Sequence, residues 1–238
     1  MTRLLAVETR KLFDTRSGKI MTAILIALTV AAITARGVVS GPRLHTLVGT
    51  AGVGFGTLLP VLGILSVTGE WSHRTALTTF ALEPRRSRVL VAKCLPPLVA
   101  AVAAALFAML VAVPVTAVVA AVQDVPATWE VAPLALLGWT ATNVLVVGMG
   151  LALGMLLLNA PAAIVICLSA PFLGSVVGGL GPTGAFVAGW LDLGHATAPL
   201  TAGDVNGGDA ARLAVSALLW IVAPMTAGVV RVIRKDVT

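Results

Sequence analysis

The fold is decided by residues 131–191, whose sequence is VAPLALLGWTATNVLVVGMGLALGMLLLNAPAAIVICLSAPFLGSVVGGLGPTGAFVAGWL. This stretch contains no Asp, Glu, Lys or Arg. At about 1.5 Å of rise per residue, a helix of this length would cross the ~30 Å hydrocarbon core of a bilayer more than twice. No soluble core needs such a run, so the sequence predicts an integral membrane protein.

The composition of the whole chain agrees with this prediction. Of 238 residues, 58% are hydrophobic and 11% are charged, and the mean hydropathy is +1.01. Soluble domains carry about 25% charged residues. A membrane β-barrel would need strands of alternating polarity, whereas these runs are apolar on every side and rich in Ala, Leu and Val. We therefore predict an all-α, polytopic membrane protein that forms a single transmembrane domain over residues 1–238.

Hydropathy and turn signals divide the chain into six predicted membrane spans. They are residues 19–35, 44–68, 89–121, 131–157, 161–180 and 210–230. The third is longer than one crossing needs, so its ends are expected to tilt or to extend beyond the hydrocarbon. Residues 181–209 are too polar and too rich in Gly and Pro for a further span. We interpret them as an external or re-entrant element.

The distribution of basic residues predicts the orientation. With both termini inside, the cytoplasmic side carries thirteen of them: Arg3, Arg10, Lys11, Arg16, Lys19, Arg74, Arg85, Arg86, Arg88, Lys93, Arg231, Arg234 and Lys235. The outside carries only Arg36, Arg43 and Arg212. This asymmetry follows the positive-inside rule and predicts a cell (inner or plasma) membrane protein with cytoplasmic termini. The pI near 10.4 then reports topology and attraction to anionic lipid, not binding of nucleic acid.

Residues 1–18 are predicted to form an interfacial helix. Leu4, Leu5, Leu12 and Phe13 can share one helical face, with the basic residues elsewhere. Such a helix suits the inner membrane surface. A solvated basic tail remains the alternative.

Motifs for catalysis or metal binding are not found in the sequence. His45, His73 and His195 are dispersed, and neither an HExxH pair nor a GxSxG elbow occurs. Residues 179–184, GLGPTG, resemble a phosphate-binding loop, but Ala185 stands where the motif requires Lys. Cys94 and Cys167 are interpreted as packing residues. We therefore expect no enzyme activity, no metal and no cofactor in this chain.

Residues 69–88 form the one strongly charged island between apolar spans. An amphipathic run over residues 75–82 stops before Pro84, because the residue preceding a proline is biased away from the α conformation. The basic turn Arg85, Arg86, Ser87 and Arg88 follows. A loop that only sets topology would need fewer residues. The pattern favours a helix at the inner membrane face that another protein holds.

At these residues the chain resembles the ABC-2 type permeases, the membrane subunits of a class of ATP-binding-cassette transporters. The residues that match their pattern are Glu70, Thr75, Pro84, Arg85, Arg86, Arg88, Ala92 and Lys93. Residues 70–75, EWSHRT, are particularly like the small actinobacterial members. More loosely, the resemblance covers the whole chain, including an N-terminal helix with Glu8 and Lys11, six spans and a basic C-terminus.

The resemblance implies a complex of two permease subunits, expected to be a homodimer in membrane lipid, and two separate ATP-binding subunits. ATP and Mg²⁺ would be bound by those partners. Residues 70–82 would be an exposed coupling helix, flanked by the N-terminal helix. The residues implied to contact the ATPase are Glu70, Trp71, Arg74, Thr75, Pro84, Arg85, Arg86 and Arg88. The three arginines of the basic turn would contact either acidic partner surface or lipid phosphate.

The predicted spans also indicate which class of substrate the chain could transport and which residues could form a subunit interface. An apolar pathway without confident intramembrane charges suits export of a hydrophobic or amphipathic substrate. Thr140 and Asn143 could touch it, although interhelical hydrogen bonding is the competing role. The pairs 52/56, 150/154 and 174/178 are GxxxG motifs, any of which could lie at a subunit interface. The alternative functions are a non-transporting membrane scaffold or assembly protein and, with less support, an embedded enzyme.

Overall fold

The computed structural model describes residues 2–72, 75, 79, 85–130 and 132–234. The regular elements in this part of the chain are helices, which confirms the all-α prediction there. The helices are α1 Thr2–Asp14, α2 Arg16–Ser40, α3 Leu44–Thr50, α4 Gly52–Ser72, α5 Arg86–Gln123, α6 Pro133–Leu157, α7 Ala160–Gly178, α8 Pro182–Leu191, α9 Leu193–Ala202, α10 Gly207–Ala217 and α11 Ala223–Arg234.

Six helical segments are long and apolar enough to cross a membrane, which confirms the number of predicted spans for the described residues. They are Arg16–Ser40, Leu44–Ser72, Arg86–Gln123, Pro133–Leu157, Ala160–Gly178 and Gly207–Arg234. The third is the longest, with 38 residues, as the sequence suggested. Two spans are composite, since α3 and α4 meet at Ala51 and a π-helical turn, Leu218–Val222, joins α10 to α11.

The π turn has a local cause in the sequence. Ala223 donates its N–H to Leu218 O, five residues back instead of four. Pro224 follows, and because proline lacks an N–H, the carbonyl of Trp220 has no α-helical donor. Pro60, Pro114 and Pro171 also lie inside helices, in α4, α5 and α7 respectively.

The centre of the bundle is the contact between α4 and α6. Gly52 lies against Trp139, and Gly154 lies against Ile64, so the two helices run in the same direction. This is the relation required of the second and fourth spans of a chain that crosses back and forth. The rings of Phe55 and Trp139 are 5.6 Å apart at their centroids.

Two of the three GxxxG motifs pack inside the chain. A Cβ at Gly150 would collide with the Pro60 carbonyl, and one at Gly174 would collide with the Asp192 carboxyl group. These glycines permit close contacts of α6 with α4 and of α7 with the α8–α9 turn. Gly56 differs, because among the described residues no heavy atom outside its own stretch of helix lies within 4 Å of its Cβ position. The 150/154 and 174/178 motifs are thus explained by intramolecular packing.

The bundle has two distinct ends. We call the basic end the one where α1, the end of α4, the start of α5 and the end of α11 meet. At the opposite, acidic end, Leu44 N–H donates to Thr128 O at 3.0 Å, which ties the α2–α3 connection to the α5–α6 connection. Helices α8 and α9 also lie there, since Leu200 contacts Gly138 near the start of α6.

Charge follows the same division. Of the basic residues that the structure describes, eleven lie at the basic end and only Arg36, Arg43 and Arg212 at the acidic end. Arg74 and Lys235 lie outside the described residues. The acidic end carries five acids, Asp124, Glu130, Asp192, Asp204 and Asp209.

The close α4–α6 packing is testable by adding one methyl group. We expect Gly150→Ala to lower the free energy of unfolding by about 1–3 kcal/mol, because the new Cβ meets the Pro60 backbone. Gly56→Ala is the matched control, and it should be neutral or stabilising by about 0.5–1 kcal/mol. Thermal unfolding in detergent measures both, and equal melting temperatures would contradict the packing described here.

Candidate functional site

The candidate site begins with the turn between α1 and α2. Thr15 caps α2, and its hydroxyl accepts the N–H of Gly18 at 3.1 Å. Gly18 lies so close to the Leu12 carbonyl that a Cβ at this position would collide with it. Glycine at this turn therefore lets α1 fold back against the bundle. Leu12 is buried as a result, while Arg10 is exposed.

This placement brings two residues of α1 to two of the spans. Lys93 Nζ, in α5, lies 2.9 Å from Glu8 Oε2 and 2.9 Å from Glu70 Oε1. Lys11 Nζ lies 2.8 Å from Glu8 Oε1 and 2.8 Å from Glu70 Oε1. We call these four residues, Glu8, Lys11, Glu70 and Lys93, the ion-pair cluster.

The ion-pair cluster is mostly withdrawn from solvent. The side chains of Lys93 and Glu8 are 4% and 5% exposed, that of Glu70 is 10% exposed, and that of Lys11 is 44% exposed. Two carboxylates and two ammonium groups make the set electrically neutral. Because removing one partner from a buried pair strands a charge in a low-dielectric surrounding, the four side chains depend on one another.

Lys11 belongs to α1, outside the spans, and is the most exposed member of the cluster. Its partial burial lowers its pKa, but the hydrogen bonds to Glu70 and Glu8 raise it more, so the net pKa stands above the usual value. A raised pKa in the folded state means that its stabilising contribution is complete at neutral pH and is lost only as the pH rises through that value.

The charged island is attached to the cluster through Glu70. Thr79 donates its hydroxyl to Glu70 Oε1 at 2.9 Å, and Thr75 donates its N–H to the Glu70 carbonyl at 2.9 Å. Both threonines belong to the connection between α4 and α5. The cluster therefore joins four parts of the chain, namely α1, α4, α5 and this connection.

The structure assigns the predicted coupling residues to different environments. Glu70 and Trp71 lie in the last turn of α4, and Glu70 is buried, so the expectation of an exposed Glu70 is wrong. Thr75, Arg85 and Arg88 are exposed. Arg74, Pro84 and most of residues 73–84 lie outside the described residues, and so does most of the predicted coupling helix.

Arg86 has an intramolecular role. Its guanidinium donates to Val232 O at 3.0 Å and to Ile233 O at 2.9 Å. These carbonyls lie in the last turn of α11, where backbone carbonyls have no donor within the helix. A cation there supplies hydrogen bonds and interacts favourably with the negative end of the helix dipole. Arg231 similarly donates to the Leu156 carbonyl at the end of α6. At the basic end of the bundle, both arginines therefore stabilise the C-terminus of a neighbouring helix by hydrogen-bonding to its last carbonyls.

Thr140 and Asn143 hydrogen-bond within α6. Thr140 Oγ1 donates to Leu136 O and Asn143 Nδ2 donates to Trp139 O, both at 2.9 Å. Asn143 is buried, with 6% exposure. The sequence favours hydrogen bonds between helices for these side chains. In the structure, both donors bond instead to backbone carbonyls in the preceding turn of their own helix.

The remaining sequence candidates are scattered. Asp192 caps α9 and its Oδ2 lies 2.6 Å from His195 Nδ1, at the acidic end. His45 lines a cavity of about 370 Å³ at that same end, and His73 lies outside the described residues. Among the residues that were described, no group of three His, Cys, Asp or Glu could hold a metal ion. Cys94 and Cys167 are free thiols.

The sequence singles out all four members of the ion-pair cluster but does not predict their contact. Glu70 and Lys93 belong to the permease-like pattern, and Glu8 and Lys11 belong to the predicted N-terminal helix. The available signal was the placement of single opposite charges at the ends of apolar runs, since such charges need partners in the folded state.

No protein-family model, no curated protein and no solved structure matches this chain.

The mutual dependence of the cluster is testable with a double-mutant cycle. We expect Lys93→Met to destabilise the protein by about 3–5 kcal/mol, because it leaves two carboxylates with one ammonium group. Adding Glu8→Gln should restore part of that loss, because neutrality returns with the Lys11–Glu70 pair intact.

Lys19→Met, which removes an exposed charge at the same end, is the control and should change stability by less than about 0.5 kcal/mol. Thermal unfolding in detergent is measured for Lys93→Met, Glu8→Gln, the double variant and Lys19→Met. Strictly additive effects of Lys93→Met and Glu8→Gln would show that the two side chains do not depend on each other.

Proposed function

We propose that this chain is the transmembrane permease subunit of an ABC transporter. It exports a hydrophobic or amphipathic substrate, with energy from ATP hydrolysed by a separate nucleotide-binding subunit. In this proposal two copies of the chain assemble with two ATP-binding subunits, which hold ATP and Mg²⁺. The chain resides in the cell membrane with both termini in the cytoplasm.

The observation that carries the proposal is the attachment of the α4–α5 connection to the ion-pair cluster. Glu70 and Lys93 are residues of the permease-like pattern, and in the structure Lys93 Nζ lies 2.9 Å from Glu70 Oε1. Thr79 of the connection is hydrogen-bonded to the same carboxylate. A force applied to the connection by a partner would therefore reach α1, α4 and α5 through short polar contacts.

The distribution of charge supports the proposed orientation. The basic end holds most of the Lys and Arg residues, and cytoplasmic segments of membrane proteins carry this excess. On this orientation the exposed Arg85 and Arg88 point to the partner side of the membrane or to lipid phosphate. The contacts of Arg86 with α11 favour a bracing role for that residue.

Reconstitution tests whether ATP is hydrolysed by a separate subunit and not by this chain. The purified chain should not hydrolyse ATP, because Ala185 replaces the lysine of the one phosphate-loop-like segment. An ATP-binding subunit encoded beside this chain should copurify with it, and the complex should lose ATPase activity when the partner's phosphate-loop Lys is replaced. ATP hydrolysis by the isolated chain would overturn the proposal.

The hydrogen bond from Thr79 to Glu70 can be tested with a variant that removes it. We expect Thr79→Val to leave the complex assembled but to lower its permease-dependent ATPase activity about tenfold. The reason is that a hydrogen bond to a charged group contributes roughly 1.5–3 kcal/mol. Thr57→Val, an exposed threonine of α4 with only a local hydrogen bond, is the control and should have no effect. Unchanged activity in Thr79→Val would show that coupling does not use this contact.

The orientation is testable by cysteine labelling after both native thiols are removed. Ser87→Cys at the basic end should react with an impermeant maleimide only from the cytoplasmic side. Gly207→Cys at the acidic end should react only from outside. Both positions are exposed, so accessibility depends on the side of the membrane. Labelling of Ser87→Cys from outside would reverse the proposed topology and remove the coupling role.

A further inference from the structure

Exposed arginines surround the contact between the start of α5 and the end of α11. The Arg86 guanidinium donates to Val232 O at 3.0 Å and to Ile233 O at 2.9 Å, so the first turn of α5 lies beside the last turn of α11. Exposed arginines precede and follow Arg86, and others precede and follow the two carbonyl residues. They are Arg85, Arg88, Arg231 and Arg234, which we call the arginine patch.

The positive charge of the arginine patch is not neutralised by the part of the chain that the structure describes. None of the four arginines takes part in an ion pair there. The contact of Arg231 with the Leu156 carbonyl brings the end of α6 to the same corner. Helices α5, α6 and α11 contain no Asp or Glu. The patch differs in this respect from the neutral ion-pair cluster, and charge complementarity requires an anionic partner.

The surface next to the arginine patch is apolar. Val91 and Leu95 follow Arg88 on the same face of α5, since they are three and seven residues further along the helix, and both are exposed. On α11, the exposed Val230 and Ile233 stand next to arginines. The charges are therefore placed at the end of apolar surface that faces outward from the bundle.

This combination favours lipid over an acidic protein surface. The patch lies at the first turn of one candidate membrane span and the last turn of another, where the phosphate groups of a bilayer meet its hydrocarbon. An anionic phospholipid matches both parts of the surface with one molecule. An acidic protein in the surrounding water would match only the arginines.

We infer that the arginine patch binds the headgroup of an anionic membrane phospholipid. The lipid phosphate lies among the guanidinium groups, whose planar arrays of N–H donors suit phosphate oxygens. The acyl chains run along the exposed apolar faces of α5 and α11. This assignment concerns the membrane-embedded chain and does not rest on the transport proposal. It assigns Arg85 and Arg88 to lipid phosphate instead of a partner ATPase.

Native mass spectrometry of the full chain tests the site. The protein is loaded in detergent with equal amounts of phosphatidylglycerol and phosphatidylcholine that carry identical acyl chains. We expect phosphatidylglycerol to be retained in preference to phosphatidylcholine. Equal retention of the two lipids, or retention of neither, would overturn the inference.

A double variant and a matched control locate the bound lipid. Arg85→Gln with Arg88→Gln should reduce the preference for phosphatidylglycerol about twenty-fivefold, since each basic residue near an anionic surface contributes about fivefold. Arg10→Gln with Lys19→Gln removes two exposed charges from α1 and α2 at the same end and should leave the preference unchanged. Equal losses in the two double variants would show a general attraction of the basic end and overturn the site.

Charge-conserving variants separate lipid binding from damage to the fold. Arg85→Lys with Arg88→Lys should keep most of the preference, because the attraction to phosphate depends on the positive charge. A loss as large as that of the two glutamine substitutions would show that charge is not the cause.

Two soluble probes separate phospholipid from other anions. Neither glycerol phosphate nor hexaglutamate should displace the retained phosphatidylglycerol, because both lack acyl chains, whereas dioctanoyl phosphatidylglycerol should displace it. Displacement by glycerol phosphate would identify a simple anion site. Displacement by hexaglutamate would identify a site for an acidic protein surface. Either result would overturn the assignment to lipid.

Discussion

The arrangement of the basic end follows from one constraint, which is that a charge removed from water needs an opposite charge within hydrogen-bonding distance. Lys93 is 4% exposed and obtains both of its carboxylate partners from other helices. Glu8 is available only because Gly18 permits the sharp turn between α1 and α2. The position of α1 is thus determined by electrostatics as much as by its apolar contacts.

The spans were predictable from the sequence because hydropathy is a local property. Each of the six predicted segments overlaps a helix long enough to cross a bilayer, and the ends differ by a few residues. The GxxxG motifs were harder to interpret, because the same local pattern serves contacts within a chain and contacts between chains. Gly150 packs on Pro60 while Gly56 faces open space, and only the three-dimensional arrangement separates the two cases.

The candidate site was predictable as a set of residues but not as a cluster. Glu70 and Lys93 stand at the ends of consecutive spans, so their proximity could have been anticipated from topology. The participation of Glu8 depends on the angle between α1 and α2, which no periodicity reports. Similarly, the sequence identifies Asn143 as a polar residue in an apolar span, but it does not reveal whether its amide bonds across helices or to Trp139 in its own helix.

If the chain is the permease proposed above, the burial of its spans constrains where a substrate could pass. Helix α6 is the most enclosed part of the bundle along with α4, and its polar donors Thr140 and Asn143 are satisfied by their own backbone. By contrast, Leu106 and Leu110 of α5 and Phe172 of α7 are well exposed apolar side chains. If the chain works as the proposed permease, an apolar cargo would move along such outer faces, between two copies or at the lipid boundary. A second copy would then complete the pathway.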